Sequence, residues 1–315
     1  MAHENKPTVL ITGCSDGGLG AALALAFHEA GFHVYATARD VAKMDQLCVA
    51  AGGAIETLPL DVQSAASIEA CVARVKRLDI LVNNAGVMMT MPMADVSIPR
   101  AKDLFDINVW GVLAVTQAFL PLLLESARRQ DGGGIVAVNT SVASIVPVPL
   151  AGVYSASKAA MAMFCDTMRL ELEAFGLHIV ELKTGAVGPT KIIANNTSLA
   201  RTVNGSGGGD PGSSAPILPK QSIYEPAREV VESIVRRGYD GGWMPPAKWA
   251  REVVQDLQKT APPSRIWRGQ SALLGWLVQF VPSFLVQPSI KRMTKYTQVE
   301  EVVRLARIYP GNDVE

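Results

Sequence analysis

A short apolar run, Thr8-Val9-Leu10-Ile11, leads into Thr12-Gly13-Cys14-Ser15-Asp16-Gly17-Gly18-Leu19-Gly20 and then into the alanine-rich stretch from Ala21 to Ala30. Strand, glycine-rich turn and helix in that order leave few folds open. They present a helix N-terminus whose free backbone N–H groups and dipole favour an anion such as a dinucleotide pyrophosphate. Glycine is required because a Cβ would hold the backbone away from the phosphates. Alone, the same cluster also fits an ordinary strand-to-helix turn.

The rest of the chain continues the alternation. Strands are expected at Thr8–Thr12, His33–Thr37, Ala54–Pro59, Ile80–Asn83, Ile135–Asn139, His178–Lys183 and Arg265–Arg268, with Gly132-Gly133-Gly134 as a turn. Helical patterns fill most gaps, including a long one from about Ile98 to Arg129. Such alternation predicts right-handed βαβ units in an α/β fold with a doubly wound parallel sheet, the Rossmann architecture. A length of 315 residues suits one large domain, and 49% apolar against 18% charged residues suits a sheet covered on both faces. A formal net charge of zero points to no nucleic-acid partner. Cys14, Cys48, Cys71 and Cys165 are scattered, and His3, His28, His33 and His178 are isolated, so no metal motif is formed. The cysteine usage fits a reducing compartment, and the lack of an apolar N-terminal signal segment argues against secretion.

Chemistry is suggested by Tyr154-Ser155-Ala156-Ser157-Lys158, with Ser141 thirteen positions upstream. A Tyr and a Lys four apart share one helix face. A phenol has a pKa of about 10, and a neighbouring ammonium would bring it toward the working range. A serine hydroxyl at a nearby strand end could then bind a substrate carbonyl while the phenol moves its proton. That trio suits carbonyl reduction or alcohol oxidation.

These motifs together resemble the short-chain dehydrogenase/reductase superfamily over about Thr8 to Thr190. Its Thr-Gly-x-x-x-Gly-x-Gly signature occurs with one extra residue, so Gly13, Gly18 and Gly20 are the equivalents and Gly17 is additional. Asn83-Asn84-Ala85-Gly86 matches the family's motif after the fourth strand. Asn108, Ser141, Tyr154 and Lys158 match its catalytic tetrad. Thr184-Gly185 departs from the usual Pro-Gly. The resemblance implies cofactor contacts from Gly13, Ser15, Gly18, Leu19, Gly20, Asp61, Val62, Asn84, Ala85, Gly86, Tyr154, Lys158, Val187 and Thr190. It further implies that the pro-S hydride passes to a ketone or aldehyde, Tyr154 protonates the oxygen and Ser141 orients it. Lys158 would bind the nicotinamide ribose and lower the Tyr pKa, and Asn108 would hold a water reaching bulk solvent. Val142, Val148, Leu150 and Val187 are expected to line an apolar pocket.

Cofactor choice turns on the end of the second strand, where an acidic side chain suits a ribose hydroxyl and an arginine suits a 2′-phosphate. Arg39 stands there and Asp40 comes one residue late, so NADPH is expected. Residues 1–268 are read as the Rossmann-type catalytic domain. The segment at about 194–221, centred on Asn204-Gly205-Ser206-Gly207-Gly208-Gly209, is read as a flexible lid, since the family's substrate lid follows the sixth strand. Residues 269–315 are read as an apolar C-terminal helical extension. Between Gly269 and Ile290 there is no charged residue, yet Pro282, Pro288 and several Gln and Ser make a poor membrane span. Arg268-Gly269 and Val281-Pro282 resemble the fungal 1-acyldihydroxyacetone-phosphate reductase-like branch, which implies lipid or secondary metabolism. The extension is expected to pack over the cleft and to leave an exposed apolar surface for a bilayer or a second subunit of a homo-oligomer, the competing reading being plain core. The resemblance implies a cytoplasmic protein, peripheral on endoplasmic reticulum or lipid droplet if the tail meets lipid. Competing readings are a reversible alcohol dehydrogenase, a non-redox or pericyclic enzyme on the same fold, and a membrane scaffold.

Overall fold

The computed structural model describes residues 6–129, 134–192, 216–237 and 242–308. Seven parallel strands form one sheet: β1 (Thr8–Thr12), β2 (His33–Ala38), β3 (Glu56–Pro59), β4 (Ile80–Asn83), β5 (Ile135–Asn139), β6 (His178–Thr184) and β7 (Arg265–Arg268). Their order is β3-β2-β1-β4-β5-β6-β7, all parallel, so the order reverses between β1 and β4. In such sheets the crevice beyond the carboxyl ends of the strands at this reversal is where ligands bind.

Strand periodicity sorts the core into two layers. Val9, Ile11, Val34, Ala36, Ile80 and Val82 face one side, while Leu10, Tyr35, Leu81, Val136 and Ile179 face the other. The first layer is closed by α1 (Leu19–Glu29) and α8 (Pro246–Leu257), which bring Leu23, Phe27, Trp249 and Val253 to full burial. The second is closed by α3 (Ala65–Val72), α5 (Gly111–Arg128) and α6 (Gly152–Leu172), through Ile68, Phe119, Leu123, Met161 and Cys165. Burial of each large apolar side chain stabilises the fold by about 1.5–3 kcal/mol.

At the amino ends of the strands the layers are fastened by Asp79, whose carboxylate is nearly fully buried. It accepts bonds from Thr8 N (2.7 Å), Thr8 Oγ1 (2.9 Å), Arg77 Nε (3.1 Å), Ser126 Oγ (2.5 Å) and Arg129 Nη2 (2.7 Å).

Three expectations are revised. The helix expected over 98–129 is α4 (Ile98–Phe105) and α5 separated by a π-turn at Asp106–Trp110. The turn buries Asn108 while Gly111 presses on Val62, where a Cβ would lie 2.9 Å from Val62 Cγ2. Strand β3 starts at Glu56 rather than Ala54, because Gly52 and Gly53 adopt φ of 61° and 76° and turn the chain first. Of the segment 194–221, only 216–221 is among the described residues, and that part is held in place. Ile217 and Leu218 are buried, their N–H groups bond Glu232 Oε1, and Arg228 donates to the carbonyls of Leu218 and Pro219. Arg228 and Glu232 belong to α7 (Arg228–Arg237); the remaining helix, α2, spans Asp45–Ala50.

The tail forms α9 (Ala272–Val278), α10 (Ser283–Met293) and α11 (Tyr296–Ile308). Val299 of α11 is buried against a cluster containing Met89, Leu150, Ile217 and Val231, so the tail returns to the body of the fold. The outer faces of α9 and α10 and the link between them are different. Leu273, Leu274, Leu277, Phe280, Phe284 and Leu285 are each 49–69% exposed. That stretch is not core.

Candidate active site

The glycine-rich turn leaves the end of β1 and enters α1 at Gly18. Three of its glycines are needed for space. A Cβ would lie 2.8 Å from Ala85 Cα at Gly13, 2.9 Å from the Ser15 carbonyl at Gly18, and 2.4 Å from the Gly13 carbonyl at Gly20. Gly17 is different: its φ is +73°, but a Cβ would meet only the Lys191 side chain at 3.3 Å. Gly17 is thus a conformational residue and Gly18 and Gly20 are close-approach residues, while Gly13, at φ +76°, is both. Asp16, which sequence reasoning did not single out, anchors the turn by accepting bonds from Gln46 N (3.1 Å) and Leu47 N (2.9 Å) of α2.

Behind the turn runs a polar seam across the carboxyl ends of β1, β4, β5 and β6. Thr12 Oγ1 accepts from the N–H groups of Asn84 (3.0 Å) and Ala85 (2.9 Å), and Asn84 Nδ2 donates to the Thr12 carbonyl (2.9 Å). Asn139 Nδ2 donates to Asn84 Oδ1 (3.0 Å), and Thr184 Oγ1 donates to Asn139 Oδ1 (2.6 Å). The threonine that replaces the usual proline therefore supplies a hydroxyl that closes this seam. No local periodicity signals Asn139 or Thr184, since each acts across strands.

The seam carries Lys158, whose Nζ donates to the Asn139 carbonyl at 2.7 Å. Tyr154, one turn earlier on α6, has its ring centroid 5.8 Å from that ammonium. The Ser141 hydroxyl acts on its phenol, drawing the phenol's pKa down against the effect of burial. Ser141 Oγ also accepts from Ala143 N at 3.1 Å, which fixes its rotamer. Asn108 Nδ2 donates to the Val87 carbonyl (2.9 Å) and Ser157 Oγ (3.1 Å), while its Oδ1 accepts from Val87 N (2.8 Å). Both amide hydrogens are thereby committed to the protein. Gly86 closes the group: a Cβ there would lie 3.2 Å from Asn108 Oδ1 and 3.6 Å from Lys158 Nζ.

Electrostatics depart from the expectation in one respect. Burial pushes the Tyr154 phenol up, and the Ser141 hydrogen bond is what draws it back. Lys158, also held by burial, falls to about 8, with Cys165 acting weakly the other way. In this arrangement Lys158 is aimed at Asn139, and Ser141 is the group that acts on the phenol.

Arg39 follows β2 directly and is exposed, with no ion pair among the described residues. Asp40 Oδ1 is occupied in accepting from Ala42 N at 3.1 Å. Asp61 Oδ1 accepts from Gln63 N at 3.1 Å, and Val62 is buried beside Gly111. Ser15 and Leu19 are half-buried at the turn, and Val187 is buried beyond β6. Thr190 Oγ1 and Ser155 Oγ are buried without a partner among the described residues.

The chain matches the short chain dehydrogenase family model over residues 7–199. It belongs to the short-chain dehydrogenase family. A short-chain dehydrogenase/reductase of Pestalotiopsis microspora is 48% identical over 302 residues, covering 96% of this chain and 98% of that one. An NADPH-dependent 1-acyldihydroxyacetone phosphate reductase of Schizosaccharomyces pombe is 32% identical, covering 93% and 95% respectively. Among solved structures, a short-chain dehydrogenase from Streptomyces avermitilis superposes with a TM-score of 0.69 at 25% identity, covering 94% and 98%. As a short-chain dehydrogenase the chain is an oxidoreductase on a Rossmann-type fold. The fungal affinity read from Arg268-Gly269 and Val281-Pro282 agrees with these relatives.

Proposed function

We propose that this protein is an NADPH-dependent reductase of a ketone or aldehyde on an apolar substrate. The observation that carries the reading is the grouping of Ser141, Tyr154 and Lys158, with the Lys158 ammonium 5.8 Å from the Tyr154 ring centroid on one helix face, at the carboxyl ends of the strands beside a glycine cradle. The residues present fit a dinucleotide: Gly13, Gly18 and Gly20 let the turn close tightly on Ala85, Ser15 and itself at the start of α1, and Thr190 Oγ1 is a buried hydroxyl without a partner among the described residues. Exposed Arg39 suits a 2′-phosphate, in keeping with the NADPH-dependence of the Schizosaccharomyces pombe relative. Asp61 and Val62 stand toward the adenine end in this reading, and Asn84, Ala85 and Gly86 along the cleft, with the main chain of Val187 beside them and its side chain in the core.

When bound, NADPH supplies the hydride. The chain supplies the rest. Ser141 holds the substrate oxygen, Tyr154 gives it a proton, and Lys158 holds a ribose hydroxyl and the local positive charge. These interactions strengthen as negative charge develops on the oxygen. The high-lying Tyr154 phenol stays protonated at neutral pH, as an acid for reduction must. Beside Tyr154 lies an apolar cluster that includes Met89, Met91, Leu150 and Val153, which supports an apolar and bulky substrate, lipid-like or polyketide-like. Of the pocket residues expected earlier, Leu150 stands in that cluster, whereas Val187 packs in the core beneath the sheet.

For the tail, the reading is a cytoplasmic protein in peripheral contact with lipid through α9 and α10, whose exposed apolar side chains favour it. Neither helix, at 7 and 11 residues, reaches the about 20 residues that a span requires. The functional reading is tested by incubating the protein with NADPH and a panel of apolar ketones and aldehydes. It expects absorbance loss at the reduced nicotinamide band and the matching alcohol by mass spectrometry. Binding of these compounds with no alcohol formed would favour the non-redox alternative.

A further inference from the structure

One buried ion pair has no place in the chemistry above. On β6, Glu181 and Lys183 are almost fully buried, and Lys183 Nζ lies 2.7 Å from Glu181 Oε1. Such pairs seldom stabilise a fold more than well-packed apolar residues would, because desolvation offsets their attraction. Their other bonds give them a use. Thr140 Oγ1 donates to Glu181 Oε1 at 2.8 Å, and Lys183 Nζ donates to Ser144 Oγ at 2.7 Å. Ser144 Oγ in turn donates to the Ser141 carbonyl at 2.6 Å. The chain Thr140–Glu181–Lys183–Ser144 thus grips the loop on both sides of Ser141. Strand β7 backs it: the Trp267 ring centroid is 5.9 Å from Lys183 Nζ, and Arg265 Nε is 3.5 Å from Glu181 Oε2.

We propose that Glu181 and Lys183 are positioning residues for Ser141, acting through Thr140 and Ser144. The pair fixes the loop in which Ser141 Oγ accepts from Ala143 N and faces Tyr154. Rotation of this hydroxyl by even part of an ångström moves it off the substrate oxygen, so loop rigidity becomes turnover. The inference rests on the reading of Ser141 as the group that holds the carbonyl.

The test uses the full chain and Ser144→Ala, Ser144→Thr and the paired change Glu181→Gln with Lys183→Met. Amide hydrogen exchange over 141–146 is measured without ligand. NADPH affinity is measured by fluorescence, and turnover with 9,10-phenanthrenequinone as an apolar diketone probe. Ser144→Ala is expected to speed exchange over 141–146 and lower kcat, each by about tenfold, while the NADPH Kd stays within about twofold. Ser144→Thr restores both. In the paired variant kcat falls similarly, and adding Ser144→Ala lowers it no further. Unchanged exchange and unchanged kcat in Ser144→Ala overturn the proposal, as does a loss that Ser144→Thr fails to repair. If the paired variant does not fold, the single-hydroxyl variant decides alone. If the parent leaves the quinone unreduced, the reductase reading fails for that probe, and exchange still decides the clamp.

Discussion

Replacing Arg39 by Asp should turn cofactor preference from NADPH toward NADH, and the structure sets the size of the effect. Arg39 is exposed and has no ion pair among the described residues, so the change should alter folding stability by no more than about 0.5 kcal/mol. Its partner in the complex would be the 2′-phosphate, and charge-assisted hydrogen bonds contribute on the order of 1.5–3 kcal/mol. Solvent exposure argues for the lower end, about 1.5 kcal/mol. A carboxylate facing that phosphate adds repulsion of about 1 kcal/mol at water-like dielectric and moderate salt. The sum corresponds to roughly a 50- to 100-fold weaker NADPH Kd. In the parent, Asp40 Oδ1 caps the turn at Ala42, which directs that carboxylate to its own loop. The new carboxylate at position 39 is free to accept from a ribose hydroxyl, so NADH affinity should rise. Titrations at low and high salt read both effects, and the NADPH deficit should shrink at high salt. An NADPH Kd within about twofold of the parent at low salt would refute the assignment of Arg39.

Other consequences follow from the same residues. Asp79→Asn removes the buried carboxylate that Arg77 and Arg129 share, and should destabilise the protein by about 3 kcal/mol, or roughly 6–12 °C in Tm. Burial alone would raise the Asp79 pKa, but bonds from Ser126, Thr8 and Arg77 outweigh it and hold the carboxyl below its usual range. Its stabilisation is therefore present above the unfolded value near 3.9 and is lost as pH falls through the folded one, so the Asn variant's deficit should vanish in acid melts. Ketone reduction should decline as pH rises through about 8, where Lys158 loses its charge, while Tyr154 remains protonated; kcat/KM flat to pH 10 would contradict this. Leu277→Glu with Phe284→Glu should abolish co-flotation with liposomes without changing the melting curve. Unchanged flotation, or loss of a dimer in size-exclusion chromatography, moves the tail away from lipid.

Sequence periodicity made the centre of the sheet legible because β1, β4 and β5 are buried on both faces and bounded by turn residues. Strand ends at β1, β4 and β5 were read to the residue, and the glycine cradle was readable because close approach permits no other side chain. The π-turn at Asp106–Trp110 was not, since apolar spacing runs on from Ile98 to Leu124 and one extra residue in a turn leaves no hydropathy mark. Asn139, Thr184, Glu181 and Lys183 were also hidden. They are partners across strands, and local pattern carries no record of which side chains meet at a sheet end. Asp16 looked like a turn residue and is a cap for α2. The tail lacked charge in sequence, and its exposed outer face accounts for an apolar pattern wider than one packed helix face needs.

The central claim is that Tyr154 is the proton donor in a redox reaction, and Tyr154→Phe tests it most directly. The ring and its packing beside Leu150 and Val153 are kept, and only the hydroxyl on which Ser141 acts is lost. In single turnover with NADPH and a reducible apolar ketone, the account predicts unchanged NADPH affinity and a chemical step slower by at least about 100-fold. Hydride transfer at the parent rate in this variant would contradict the account.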